Sequence, residues 1–206
     1  MEYRHKGKLI FKYGPMNSAK TVNLLTKAFE LEARNQNVFC LRPSVDDRET
    51  KSIIRSRISG IEPRECLLIA PEANIIKICE DIINCIGNTK RIWFLVDEAQ
   101  FLSSYQIEGL ASIVDTYNVT IVCYGLRTDF KTKLFPGSLR LFELADDISE
   151  IKSTCECGND NIVNARIDKN GNLILEGEQV ETGTEDKYIT LCRSCYNKMK
   201  NKNKTI

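Results

Sequence analysis

The chain has 206 residues, enough for one well-packed domain and a smaller appendage, and its formal net charge of +1 indicates neither disorder nor a broad nucleic-acid-binding surface. The sequence contains no apolar run of about 18 residues and no apolar core near its first residue, which argues against a membrane span and a signal peptide. We therefore expect a cytosolic protein. The single histidine, His5, lies near the first residue, so a catalytic base is expected to be a carboxylate.

Apolar strands alternate with helical patterns in the first part of the chain. Strands are predicted at 9–11, 38–41, 67–69, 92–96 and 119–124, and helices at 20–35, 75–86 and 105–117. Continuous apolar strands separated by helices indicate a parallel sheet covered on both faces.

The alternating pattern ends near Asp147, and the chain beyond it is polar, cysteine-bearing and rich in turns. Asn170-Gly171 lies between two strand-like runs, 163–167 and 173–175, and predicts a hairpin. We therefore predict an α/β domain in residues 1–147, a small β-rich lobe in 148–198 and a flexible tail in 199–206.

A phosphate-binding loop is predicted between the first strand and the first helix. Its residues match G-x-x-x-x-G-K-[ST], with alanine in place of the second glycine: Gly14, Pro15, Met16, Asn17, Ser18, Ala19, Lys20 and Thr21. Backbone N–H groups of such a loop point at phosphate oxygens, Lys20 neutralises phosphate charge, and the Thr21 hydroxyl binds Mg²⁺. If Ala19 needs a positive φ, it is strained by about 1 kcal/mol or more; the sequence leaves that question open.

Two carboxylates follow the strand predicted at 92–96. Asp97 is expected to hold Mg²⁺, and Glu98 is placed to take a proton from an attacking hydroxyl. Hydrolases and helicases share an Asp-Glu pair at this point. A nucleic-acid-stimulated ATPase and a nucleotide-binding protein impaired by Ala19 therefore remain alternatives.

The nine cysteines fall into two groups. Cys155, Cys157, Cys192 and Cys195 flank the predicted hairpin and predict a structural zinc site with four thiolate ligands; buried free thiols are the alternative. The other five are scattered among apolar neighbours and are predicted to be small buried side chains: Cys40, Cys66, Cys79, Cys85 and Cys123.

Six motifs, taken in order, resemble those of the type II thymidine kinase family over roughly residues 7–197. The phosphate loop and the four cysteines are two of them. The other four are Asp46-Asp47-Arg48, Asp97-Glu98-Ala99-Gln100-Phe101, the 124–130 segment ending in Phe130, and the 176–188 segment ending in Tyr188. The resemblance implies a P-loop NTPase-like parallel sheet covered by helices, with a small zinc-binding β-rich lobe.

The resemblance also implies an activity, which is transfer of the γ-phosphate of ATP to the 5′-hydroxyl of thymidine, with deoxyuridine as the nearest competing substrate. It implies Mg²⁺ with ATP, structural Zn²⁺, a homotetramer, and feedback inhibition by thymidine triphosphate.

The resemblance further implies roles for individual residues. Glu98 would be the general base. The phosphate site would add Asp46, Arg48, Asp97 and Gln100 to the phosphate loop, with Mg²⁺ on Thr21 and Asp97. The nucleoside site would comprise Met16, Phe130, Gln179, Val180, Glu181, Thr182, Gly183 and Tyr188. Thr182 and Thr184 depart from the family pattern, which has an apolar residue and a glycine there.

Overall fold

The computed structural model describes residues 7–44, 52–87, 90–179 and 187–202. The strands are β1 Leu9–Tyr13, β2 Asn37–Pro43, β3 Ile53–Ile54, β4 Arg64–Glu65, β5 Leu67–Ile69, β6 Ile92–Val96, β7 Val119–Gly125, β8 Asp147–Glu150, β9 Val163–Ile167 and β10 Lys187–Leu191. The α-helices are α1 Lys20–Ala33, α2 Ile75–Ile86, α3 Ser104–Thr116, α4 Pro136–Leu144 and α5 Arg193–Lys202, and a short 3-10 helix spans Ala99–Phe101.

Six strands form one sheet in the order β5-β2-β6-β7-β1-β8, and every pair in it is parallel. Val96 aligns with Cys123, and Tyr13 aligns with Gly125. The carboxyl ends of β6, β7 and β1 therefore meet at one edge of the sheet, where open α/β sheets bind ligands.

Helices cover both faces of this sheet, as the sequence predicted. Successive side chains of β6 point to opposite faces of the sheet. Phe94 belongs to a hydrophobic cluster that includes residues of α2 and α3, whereas Leu95 belongs to a second cluster that includes residues of α1. β7 lies between β6 and β1, and all of its residues are buried.

Five elements of this region lack a counterpart in the sequence prediction: the short antiparallel strands β3 and β4, the 3-10 helix, α4 and β8. α4 begins at Pro136 and packs on α3 and on the 3-10 helix. β8 begins at the predicted boundary, Asp147, and pairs with β1, so the main sheet includes residues up to Glu150. The division into residues 1–147 and 148–198 stays a prediction.

Residues beyond β8 build a separate two-stranded sheet, β9–β10, with its own small core. The predicted turn is present at Asp168 to Asn172, with Gly171 at a φ of 82°. The strand that pairs with β9 is β10, however, whereas Leu173 makes one isolated bridge to Ile167. The β9–β10 ribbon packs on α5, which contributes Tyr196 to the core.

No helix in the described ranges combines the length and the apolar character that a membrane crossing requires.

Candidate active site

The phosphate loop runs from the end of β1 to the start of α1. Gly14 N–H donates to the Gly125 carbonyl, which ties the loop to the end of β7. A Cβ on Gly14 would lie 2.4 Å from the Ile151 carbonyl oxygen, so this position requires glycine. α1 has no side-chain cap, and this leaves its N-terminal N–H groups available for an anion.

The φ of Ala19 is 61°, so the residue adopts the left-handed conformation. The question that the sequence left open is thereby answered: alanine stands where a glycine would be unstrained. Asn17 also has a positive φ, 59°, but asparagine tolerates this conformation better than alanine does.

Lys20 is buried beside the two carboxylates that follow β6. Its ammonium donates to the Pro15 carbonyl over 2.7 Å. Burial lowers the pKa of Lys20, while Glu98 and Asp97 act in the opposite direction. The lysine is therefore a desolvated cation held inside the loop, where it can meet phosphate oxygens.

Asp97 directly follows β6 and is buried. Its carboxylate accepts a hydrogen bond from the Thr21 hydroxyl over 3.3 Å. Burial raises the pKa of Asp97 to about 7, and the neighbouring Glu98 carboxylate acts in the same direction. A hydroxyl and a carboxylate side by side are the oxygen ligands that Mg²⁺ prefers.

Glu98 is oriented by Gln100. Glu98 has a φ of 51°, an unusual backbone conformation that often marks functional residues. The Gln100 side chain, 1% exposed, donates from Nε2 to Glu98 Oε2 over 2.7 Å, and its Oε1 accepts from Leu126 N–H over 3.0 Å. A Cβ on Gly125 would lie 2.8 Å from Gln100 Oε1, so Gly125 leaves room for this side chain. In the described structure Gln100 thus contacts the expected base, although we had expected it at the phosphates.

Phe130 lies in a tight turn after β7, in contact with the small lobe. The Arg166 guanidinium of β9 lies 5.2 Å from the centre of the Phe130 ring. Asp129 Oδ1 accepts from the backbone N–H groups of Lys131 and Lys133 and thereby shapes the turn. Asp129 Oδ2 accepts from Gln179 Nε2 over 3.0 Å, so the described part of the 176–188 segment reaches this turn.

The other expected nucleotide and nucleoside residues divide into two sets. Met16 lies in the phosphate loop, and Tyr188 lies in β10 opposite Arg166 of β9. The remaining residues fall outside the described residues: Asp46, Arg48, Val180, Glu181, Thr182 and Gly183.

The four lobe cysteines converge. The sulfur atoms of Cys155, Cys157, Cys192 and Cys195 all lie within 4.8 Å of one another. The Asn159 backbone N–H lowers the pKa of Cys157 to about 6, helped by hydrogen bonds from the Cys192 and Cys195 side chains. Backbone hydrogen bonds lower the pKa of Cys155 as well. Four thiols at this spacing, two of them biased toward thiolate, fit tetrahedral Zn²⁺ with no open position.

Of the five other cysteines, Cys85 does not follow the prediction. Cys40, Cys66, Cys79 and Cys123 are buried, whereas Cys85 is exposed near the end of α2. The buried stripe of this helix is Ile75, Cys79 and Ile83, and Cys85 lies off that stripe.

Asn164 is a site residue that sequence reasoning missed. It lies on β9, and its side chain contacts both the phosphate loop and the turn before Phe130. One polar residue in a short strand pattern gives no signal for contacts so distant in sequence, so no motif could have found it.

Comparison with known proteins identifies the family. A family model described as thymidine kinase matches residues 7–196. The thymidine kinase of Enterobacteria phage T4 is 39% identical over 199 residues, covering 94% of this chain and 97% of the phage protein. The thymidine kinase of Coxiella burnetii is 39% identical over 186 residues, covering 90% of this chain and 93% of the relative.

A solved DnaB-like replicative helicase aligns with 72% of this chain and 47% of the helicase chain, at 12% identity and a TM-score of 0.49. The family match spans both the main sheet and the cysteine-bearing lobe. This chain belongs to the thymidine kinase family.

Proposed function

We propose that this protein is an ATP-dependent thymidine kinase, which transfers the γ-phosphate of ATP to the 5′-hydroxyl of thymidine and releases thymidine monophosphate and ADP. The observation that carries this proposal is the meeting of three groups at one sheet edge in a chain of this family. The groups are the phosphate loop, the buried Asp97 and the oriented Glu98.

On the ATP side, loop N–H groups and Lys20 would bind the phosphates. Thr21 and Asp97 would hold Mg²⁺, which neutralises phosphate charge when it is bound with ATP. Lys20 would exchange its hydrogen bond to the Pro15 carbonyl for phosphate oxygens. The family resemblance adds Arg48 and Asp46 near the phosphates.

On the acceptor side, Glu98 would take the proton of the 5′-hydroxyl as the new bond to phosphorus forms. Gln100 holds Oε2 of this carboxylate, so Oε1 would be the oxygen that accepts the proton of the substrate hydroxyl. A proton acceptor held at one oxygen is pre-oriented, and such orientation lowers the barrier to transfer.

The nucleoside would lie between Met16 and the Phe130 turn. By the family resemblance, the Phe130 ring would lie near the base, and backbone groups of residues 179–183 would bind the base edge. Tyr188 would anchor that segment. Closure over the substrate would exclude water, which otherwise competes as phosphoryl acceptor.

Zinc would be structural. Four thiolate ligands leave no position for a reacting molecule, so Cys155, Cys157, Cys192 and Cys195 would staple a lobe whose own core is small. The homotetramer and inhibition by thymidine triphosphate are further proposals that come from the family resemblance. A cytoplasmic location is a proposal that comes from the composition of the sequence.

The proposal is tested by a coupled ADP-release assay with Mg-ATP and a panel of deoxynucleosides, with products identified by mass spectrometry. Thymidine monophosphate and ADP formed in equal amounts, and only with the nucleoside present, would support it. ADP release that is independent of nucleoside and stimulated by DNA or RNA would identify an ATPase instead. ATP binding without any turnover would identify a protein impaired in chemistry.

A further inference from the structure

Asn164 joins three parts of the molecule through one side chain. It is 3% exposed and lies on β9, in the ribbon between the two cysteine pairs. Its Oδ1 accepts from Met16 N–H over 2.7 Å, across 148 residues of sequence. Its Nδ2 donates to the Thr128 carbonyl over 3.1 Å.

The two partners fix the orientation of the amide. Met16 N–H can only donate and the Thr128 carbonyl can only accept, so the oxygen and the nitrogen of the side chain cannot exchange places. A leucine in place of Asn164 would fill a similar volume but could form a hydrogen bond with neither the Met16 N–H nor the Thr128 carbonyl. Leaving the partly buried Met16 N–H and the buried Thr128 carbonyl unpaired is costly, because both give up contact with water in the folded chain.

The same face of β9 makes a second contact with the Phe130 turn. Residues two apart on a strand point to the same side, and Arg166, two residues after Asn164, lies against the Phe130 ring. Asn164 Nδ2 donates to the carbonyl of Thr128, which is two residues before Phe130. The ribbon thus contacts the turn at two successive positions and contacts the phosphate loop at Met16.

We propose that Asn164 is a positioning residue that sets the separation between Met16 and the Phe130 turn, and thereby the width of the nucleoside pocket. The proposal rests on the proposed function, in which these two segments line the base. Through this residue, the cysteine-bearing lobe would directly position the phosphate-loop side of that pocket.

The chain offers a matched control in Asn161. Asn161 is also 3% exposed and lies in the same lobe, but its Nδ2 donates to the hydroxyls of Ser153 and Thr190. Both of these partners belong to the chain beyond β8. Asn161→Leu therefore removes buried amide bonds from the lobe without touching the phosphate loop or the turn.

Steady-state kinetics with the full-length zinc-loaded protein test the proposal. For Asn164→Leu we expect the KM for thymidine to rise about tenfold, as when a buried donor and acceptor lose their partners, with kcat within about threefold of wild type. Asn161→Leu is expected to leave that KM unchanged. Equal KM changes in both variants, or a fall in kcat alone, would show that Asn164 supports only folding.

Hydrogen exchange read by mass spectrometry tests the same contact without catalysis. Asn164→Leu should speed exchange in peptides containing Met16 and Thr128, and Asn161→Leu should not. If Asn164→Leu does not fold, Asn164→Ser, whose side chain is too short to reach both partners, takes its place. A wild-type protein that makes no thymidine monophosphate overturns the proposed function. Unchanged exchange at both peptides overturns the role of Asn164.

Discussion

At the scale of single residues, the phosphate loop contains an alanine in a conformation that suits glycine. For an L-residue the left-handed region costs roughly 1–2 kcal/mol, because Cβ approaches the following carbonyl oxygen. The Ala19 φ of 61° therefore stores strain at the N-terminus of α1.

Ala19→Gly is expected to stabilise the protein by about 1 kcal/mol in free energy of unfolding, since relief of strain exceeds the extra backbone entropy of glycine. Calorimetric thermal unfolding without nucleotide measures this. Asn17→Gly is the control, because asparagine accepts its φ of 59° more readily and gains less. Equal gains at the two positions would contradict the assignment of strain to Ala19.

Glu98→Gln is expected to lower kcat by about 10²- to 10⁴-fold, the usual contribution of a general base, while ATP affinity stays near wild type. Gln100→Leu should cause a smaller loss of kcat, because it releases the Glu98 carboxylate without removing it. Single-turnover kinetics and equilibrium ATP binding separate the two effects. Near-normal turnover in Glu98→Gln would exclude this residue as the base.

Side-chain orientations of this kind are beyond sequence reasoning. The Asp97-Glu98 pair was predictable from its place after a buried strand, and the phosphate loop from its residue pattern. The bond from Gln100 to Glu98 depends on the room left at Gly125, which belongs to a strand 25 positions further along the chain. Three-dimensional packing alone shows such a relation.

At the scale of elements, the predicted alternation of strands and helices was confirmed where the strands were apolar. β8 escaped prediction because its sequence, DISE, is half acidic and mostly exposed at the edge of the sheet. The segment 173–175 was overpredicted, because β10, which follows 20 residues after β9, takes the place beside that strand.

α4 supports the segment that carries the expected base. A Cβ on Gly137 would lie 2.5 Å from the Leu102 carbonyl oxygen and 2.8 Å from the Ala99 carbonyl oxygen. Helix α4 therefore approaches the 3-10 helix after Glu98 as closely as a backbone permits.

Gly137→Ala is expected to destabilise the protein by roughly 1–3 kcal/mol, the usual cost of overpacking, and to lower kcat by displacing the 3-10 helix. Urea unfolding and the thymidine assay measure the two effects. Leu139→Ala serves as the control, since Leu139 lies on the same helix and is exposed. A Gly137→Ala protein with unchanged stability and activity would contradict this prediction, because it would show that α4 can shift away from the 3-10 helix without loss of either property.

At the scale of the whole molecule, the thiols divide into three environments: the cysteine cluster, the buried core and the exposed end of α2. Burial raises the pKa of Cys40 and that of Cys79 to about 12 each, and it also raises the pKa of Cys123. These three thiols are therefore protonated and shielded at neutral pH.

With zinc bound at the proposed site, the native protein is expected to react rapidly with a disulfide reagent at one thiol per chain. Cys85→Ser should abolish this reaction, because Cys85 is the exposed thiol outside the cluster. Reagent titration under native conditions, followed by peptide mapping, checks the site. Rapid modification of Cys40 or Cys79 would contradict the burial of these thiols.

If the cysteine cluster holds zinc as proposed, a chelator is expected to make its four thiols reactive and to weaken thymidine binding before ATP binding is lost. The lobe has only a small core and would therefore depend on the metal for its stability, whereas the phosphate loop is supported by the larger core of the main sheet. Parallel titrations of thymidine and an ATP analogue against zinc content give the order. Simultaneous loss of both ligands would mean that the lobe and the sheet unfold together.

The bond between Met16 and Asn164 has a consequence for the newly synthesised chain. The ribosome makes Met16 of the phosphate loop 148 residues before its partner on β9. β8, which lies beside β1, is also made late. A nascent chain therefore cannot complete the surroundings of its phosphate loop until β8 and β9 have been synthesised, which is when long-range contacts of this kind first become possible.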